Sequence, residues 1–244
     1  MTHRVHPFVF RLGQTTTWKS RWFSTKQFQQ YLREDTLLRE WLWKRLREAH
    51  VSSIEIERSP NTLNLIIRTS RPGILIGRGG EGIERLRKDV EKTVGSLQHS
   101  RKATSGAGER GSLSPGHAPF EKRELKLTIE EVRSPETDAR IVAEQIRDDI
   151  EKRIRFRRIL KQTIEKVAAH REVKGVKVML SGRLDGAEMS RVEWAKRGRI
   201  PLQTIRAAVD YAFTEALTTY GTIGIKVWIY KGDIFEKERG SAKS

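Results

Sequence analysis

The chain contains no cysteine. That removes disulfides, thiolate metal sites and cysteine nucleophiles together, and it suits a reducing compartment. Its six histidines are scattered and offer no metal pair at helical spacing. No uninterrupted apolar run approaches the roughly 20 residues that cross a bilayer, and Met1–Arg11 lacks the apolar core of a signal peptide. The expectation is a soluble chain that is not secreted. Acids are also scarce: 31 Asp+Glu face 48 Lys+Arg, a formal net charge of +17. Such an excess repels itself in a compact fold, so it points to a large anionic partner, either nucleic acid or an acidic membrane surface.

With 244 residues the chain is long enough for two modest domains. Met1–Ser24 interleaves Arg4, Arg11, Lys19 and Arg21 with aromatic residues and has no periodicity, which predicts an extended arm suited to phosphate contact with stacking on unpaired bases, the competing reading being that Trp18, Trp22 and Phe23 pack against the first helix. From about Thr25 to Ala49, Leu38, Leu42, Leu46 and Ala49 recur at helical spacing. Ile54 and Ile56, then Leu63, Leu65 and Ile67, alternate on either side of the turn residues Ser59-Pro60-Asn61, a hairpin of two strands. After Arg71-Pro72-Gly73 a short apolar piece runs into Gly77-Arg78-Gly79-Gly80, and a helix follows with Ile83, Leu86, Val90 and Val94. Residues 95–123 are polar, rich in Ser, Gly, Arg and Lys, and read as a flexible insertion. A third strand carries Leu125, Leu127 and Ile129. Ser134-Pro135-Glu136 looks like a capped helix start, and a second domain begins there, with two helices bent near Arg155. Three strands follow, around Val176–Leu180, Ile205–Phe213 and Ile225–Ile229; the Ala-rich run through Ala216 is also compatible with helix on propensity alone.

Two motifs bear on chemistry. Gly77-Arg78-Gly79-Gly80-Glu81-Gly82 fits a dinucleotide-binding fingerprint by letter, but the helix after it ends in a polar insertion, with no parallel strand and ribose-binding acid expected beyond it. The same residues fit the Ile-Gly-x-x-Gly loop of a KH domain, which clamps the backbone of about four nucleotides. Glycines admit phosphates to the main chain, a helix N-terminus supplies N–H groups, and Arg78 supplies charge. The bland alternative is a tight turn between helices. The second motif is the cationic run Lys152, Arg153, Arg155, Arg157, Arg158 and Lys161. A helical wheel buries Phe156, Leu160, Ile164 and Val167 and leaves Arg157, Arg158 and Lys161 together on a ridge that can bridge phosphates; a merely solvated face is the competing reading. Gly13–Ser20 is not a P-loop, since Trp18 stands where its second glycine belongs. Glu188, Glu193 and Asp210 show no catalytic spacing, and no nucleophile, acid or base is assigned.

Longer stretches carry a resemblance. Arg11-Leu12-Gly13 and Ser20-Arg21-Trp22 in the arm, Ile54-Glu55-Ile56-Glu57-Arg58, Arg71-Pro72-Gly73-Ile74 with Ile76-Gly77, Phe156-Arg157-Arg158, Ser181-Gly182-Arg183-Leu184, Gly198-Arg199, Asp210-Tyr211 and Lys226-Val227-Trp228-Ile229 resemble the small-subunit ribosomal protein S-three family of bacteria, along nearly the whole chain. The resemblance implies an α+β protein: an arm (1–17), a KH type II domain (18–132, with the insertion at 95–123), a C-terminal α/β domain with a mostly antiparallel sheet (133–235) and a polar tail (236–244).

It further implies a structural, non-enzymatic role in the head of the small subunit, in a cytoplasmic or organellar ribosome. The implied partners are ribosomal RNA, messenger RNA at its entry channel and neighbouring head proteins, with no membrane, cofactor or metal. In the family the basic surface matching Arg157, Arg158 and Lys161 faces the entering messenger and is linked to its unwinding. The implied RNA-binding residues are those three, the loop Gly77, Arg78, Gly79 and Gly80, and Arg4, Arg11, Arg21, Arg183 and Arg199. The family's usual loop has two basic residues between its glycines; here the second position is Gly79, so the implied grip is through the backbone. Two rivals belong to other classes: an enzyme that nicks damaged DNA, as some eukaryotic relatives are reported to be, and a free-standing RNA chaperone.

Overall fold

The computed structural model describes residues 5–25, 27–59, 61–104 and 124–235. Within it the chain forms two compact units, one of residues 19–131 and one that joins residues 1–18 to 132–244.

In the first unit, strand β1 (Ser20–Arg21) precedes helix α2 (Phe28–Arg45), the label α1 belonging to a short helix, Pro7–Phe10, in the other unit. Strands β2 (Val51–Arg58) and β3 (Thr62–Thr69) follow as the expected antiparallel hairpin. Helices α3 (Pro72–Ile76) and α4 (Glu81–Thr104) lead to strand β4 (Glu124–Glu131). The sheet runs β1-β2-β3-β4. Alternation along β3 buries Leu63, Leu65 and Ile67 against Leu38 and Leu42 of α2 and Leu86 and Val90 of α4. The Arg58 side chain is buried in this unit: it bonds Glu34 at 2.7 Å and also Asp35, whose other oxygen accepts from the Trp22 indole at 2.7 Å.

Three expectations change here. Helix α4 runs on through Thr104, past the expected start of the insertion at Gly95, because the residues after that glycine include good helix formers and no proline; 105–123 lie outside the described residues. Strand β4 is parallel to β3, so a parallel strand does follow the helix. The dinucleotide fingerprint still fails, since the glycine loop follows helix α3 and not a strand. Finally, Trp22 packs against the first helix, on Phe28 and Tyr31, as one reading of the arm had it, whereas Phe23 is exposed.

In the second unit, α5 (Ala139–Glu151) and α6 (Phe156–Ala168) cover one face of an antiparallel sheet ordered β6-β5-β8-β7: β5 is Gly175–Gly182, β6 Arg191–Gly198, β7 Ala207–Thr218 and β8 Gly221–Asp233. The core sets Ile146, Ile159, Leu160 and Val167 against Val176, Val178, Ala212, Ile225 and Val227. The run through Ala216 is strand: Ala212 and Ala216 are the small inward residues that let the helices sit close. Strand β6 was not anticipated. It is an edge strand exposed along most of both faces, so Val192 and Trp194 stay outside and leave little burial pattern to read. The cap of α5 is also displaced. Ser134 makes no side-chain cap; Asp138 accepts from the N–H groups of Arg140 and Ile141 instead, with Pro135–Thr137 forming a 3-10 turn before it.

The arm differs most from expectation. Residues 7–10 form helix α1, capped by His6, whose ring also packs edge-on against Tyr211 at 4.7 Å. The adjoining Arg11 is wholly buried.

Inside α5, Glu144 is 2% exposed, and one of its oxygens lacks a hydrogen-bond partner. Burial lifts its carboxyl from 4.5 to about 7, outweighing the attraction of Arg140 and Arg147. The folded state therefore holds a proton that the unfolded carboxyl releases, and stability from this group is lost as pH rises from about 4.5 through about 7. Denaturant midpoints at pH 5 and pH 8 are expected to show the parent losing stability on the order of 3 kcal/mol from this group, and Glu144→Gln losing less. An equal pH dependence in both proteins would show that Glu144 ionises as an ordinary surface acid does.

Candidate nucleic-acid interface

The loop between α3 and α4 is built by glycine. Gly77, Gly79 and Gly80 have φ of 69°, 62° and 85°, the left-handed side that other residues avoid. At Gly79 the space around a Cβ would be open, so backbone conformation and not crowding favours glycine there. Gly82 is the converse case: a Cβ would lie 2.5 Å from the Leu75 carbonyl oxygen, so glycine permits α3 and α4 to approach. Gly77, Arg78 and Gly79 are exposed and Gly80 half-exposed. The loop thus offers main chain and one guanidinium to a strand of nucleic acid. Glu81 and Glu84, in the first turn of α4, limit how much anionic charge that end attracts, with Glu81 ion-paired to Arg85.

In the other unit, Phe156, Ile159, Leu160, Ile164 and Val167 anchor α6, while Arg157, Arg158 and Lys161 are exposed. Among the described residues none of these three makes an ion pair. They line a groove of about 850 Å³ with Arg155, Gln162 and Glu165, floored by Leu160 and Ala195. Arg191, on β6, shares a hollow of about 270 Å³ with Arg155, Arg157 and Asp185. Arg191 was missed because its strand was missed; the alternation of Val192 and Trp194 with charged residues was the available signal.

The remaining candidates part company. Arg183 and Arg199 are exposed; Arg183 donates to the Ala187 carbonyl at 2.9 Å and lies over the Tyr220 ring at 5.8 Å. Arg21 bonds Glu55 and also Glu57 at 3.1 Å, so much of its charge is spent within the protein. Arg4 lies outside the described residues. Arg11 has to be withdrawn as an RNA contact. Its guanidinium donates to the carbonyls of Pro7 at 3.0 Å, Ala207 at 2.6 Å, Pro201 at 3.1 Å, Leu202 at 3.0 Å and Thr204 at 3.0 Å, and it has no surface left to offer. Of the acids considered, Asp210 accepts from the Ala139 N–H at 2.8 Å, and burial, with Asp138 nearby, pushes its pKa up. Among the described residues no group of His, Asp and Glu could hold a metal ion.

Comparison with known proteins decides the family. Residues 37–137 match the KH domain family, and residues 146–229 match the family described as Ribosomal protein S3, C-terminal domain. The small ribosomal subunit protein uS3 of Desulfovibrio desulfuricans is 45% identical over 238 residues, 98% of this chain and 99% of the relative. The chain belongs to the uS3 family. The uS3 proteins of Caldicellulosiruptor saccharolyticus (44% over 244 residues, 100% of this chain and 98% of the relative) and Myxococcus xanthus (44% over 242 residues, 99% and 97%) are similarly close along their lengths. The order α2-β2-β3-α3-α4-β4 falls across the KH match, and the antiparallel sheet with its two helices falls across the other.

Proposed function

We propose that this uS3 protein is a structural component of the small-subunit head that binds ribosomal RNA and lines the messenger entry channel, where it assists unwinding passively. The observation that carries the reading is the α6 ridge: Arg157, Arg158 and Lys161 are exposed, and among the described residues they have no ion-pair partner, on a helix whose other side is buried. Planar guanidiniums at that spacing suit successive phosphates and carry no base-reading code. The glycine loop adds main-chain donors, with Arg78 beside them. The domain limits proposed are those of the arm, KH, C-terminal and tail segments above, except that residues up to Trp18 group with the C-terminal unit.

Phosphate contacts release counter-ions, so affinity is expected to fall steeply with salt. If about six phosphates are neutralised, log affinity should drop with log salt at a slope of about −5 on duplex RNA, taking the value for double-stranded DNA as a guide. Filter binding of the full chain to a ribosomal RNA fragment between 50 and 300 mM salt measures this. Affinity that is flat with salt would remove the phosphate-contact reading.

A further inference from the structure

A second cationic feature adjoins the ridge and shares Arg155 with its groove: a cleft of about 910 Å³ where the junction of α5 and α6 faces the two-residue turn between β7 and β8 and the 3-10 turn Leu184–Gly186. Arg153, Arg155 and Arg183 line it, and its floor includes Ile154, Phe156 and Leu184. Tyr220, in the β7–β8 turn, stands at its edge with 58% of its surface exposed. Its ring lies close to Gly186, where a Cβ would come 3.1 Å from it, and the Arg183 guanidinium lies 5.8 Å from its centroid. Arg153 at φ 62° and Asp185 at φ 54°, both with left-handed backbone, also line the cleft.

The lining discriminates among ligands. A bare phosphate needs only the arginines and gains nothing from an apolar floor or an aromatic ring. A nucleotide uses all of it: a base stacks on an aromatic face, guanidiniums hold the phosphate, and the Thr219 hydroxyl and the Asp185 carboxylate, both in the lining, can meet ribose hydroxyls and base edges, while the Thr218 hydroxyl already donates to the Gly221 carbonyl at 2.7 Å. Glu151 also lines the cleft but is engaged, accepting from the Leu217 N–H at 3.3 Å.

We propose that this cleft captures a single unstacked nucleotide of an RNA strand, with its base against Tyr220 and its phosphate held by Arg153 and Arg155. The proposal rests on the RNA-binding reading of the chain and adds a specific site to it. A nucleotide held this way anchors the C-terminal unit at a bulge or loop, which a phosphate ridge by itself cannot distinguish from a regular helix.

The test uses the full chain and a fluorescent penta-adenylate, with 5′-AMP, ribose 5-phosphate and inorganic phosphate as competitors. Tyr220→Ala should weaken penta-adenylate by about fivefold or more, the scale of one base-aromatic stack, whereas Tyr220→Phe should not. In the parent, 5′-AMP should compete better than ribose 5-phosphate, and Tyr220→Ala should erase that preference. Tyr220 is exposed in a turn, and an unchanged thermal midpoint for Tyr220→Ala confirms a folded variant. Equal binding by parent and Tyr220→Ala, or equal competition by ribose 5-phosphate and 5′-AMP, overturns the site while the chain's binding to a ribosomal RNA fragment still stands. Capture of 5′-AMP without penta-adenylate makes it a free-nucleotide site and overturns the RNA assignment. If neither RNA binds at all, the broader reading falls with it.

Discussion

Ribosomes reconstituted with Arg157→Ala, Arg158→Ala and Lys161→Ala together are expected to assemble normally and to slow on messages with a stable hairpin at the entry site. All three side chains are exposed on α6, and the residues that anchor the helix are others, so truncation opens no cavity. The stability change at each position should stay within about 0.5 kcal/mol. What is lost is three of the four positive charges in a groove whose lining holds one acid, Glu165. An opened hairpin exposes phosphates that the ridge can hold, so on the proposed function the ridge would favour the opened state without hydrolysing anything. If that preference is worth about 1 kcal/mol, crossing a hairpin slows about fivefold, and crossing an unstructured message hardly at all. Elongation rates on paired templates, identical except for the hairpin, give the answer. Equal slowing on both would indicate an assembly defect, and no slowing on either would return these residues to a solvated face or to ribosomal RNA.

Replacing Arg11 should have an effect of another kind, on folding. Arg11 is a fully buried cation with carbonyls for partners, five of them, and these tie helix α1 to residues 201–207. Burial lowers its pKa, yet a guanidinium remains charged at neutral pH. Arg11→Met keeps much of the volume but removes every donor, leaving carbonyl oxygens buried without partners. The expected cost is about 3–5 kcal/mol. Arg11→Lys should recover only a small part, because a single ammonium cannot reproduce the planar fork. Urea unfolding of the isolated protein measures both. A loss below about 1 kcal/mol for Arg11→Met, together with weaker RNA binding at full stability, would restore Arg11 to the surface role first expected of it.

Arg11 also shows where reading a sequence fails. Beside aromatic residues in a basic arm it looks like a phosphate contact, and nothing local reveals that carbonyls nearly 200 residues away will enclose it. The carboxylate partners of Arg21, on β2, were equally invisible from its neighbours in sequence. Elements with a strong one-sided pattern were legible: Leu38 and Leu42 on α2, Leu63, Leu65 and Ile67 on β3, and the stripe of α6 that left Arg157, Arg158 and Lys161 outside. Strand β6 was not, because edge pairing to β5 is a backbone interaction and leaves its side chains largely exposed. The cleft at Tyr220 was beyond reach as well, since its lining comes from three separated stretches of chain that only the fold assembles.

The most direct measurement is a side-chain-resolution map of the small subunit containing this chain, programmed with messenger RNA. The account predicts phosphate density of the incoming messenger within hydrogen-bonding distance of Arg157, Arg158 and Lys161, and ribosomal RNA backbone against Gly77–Gly80. A map in which that face of α6 looks into bulk solvent, away from any RNA, would contradict it.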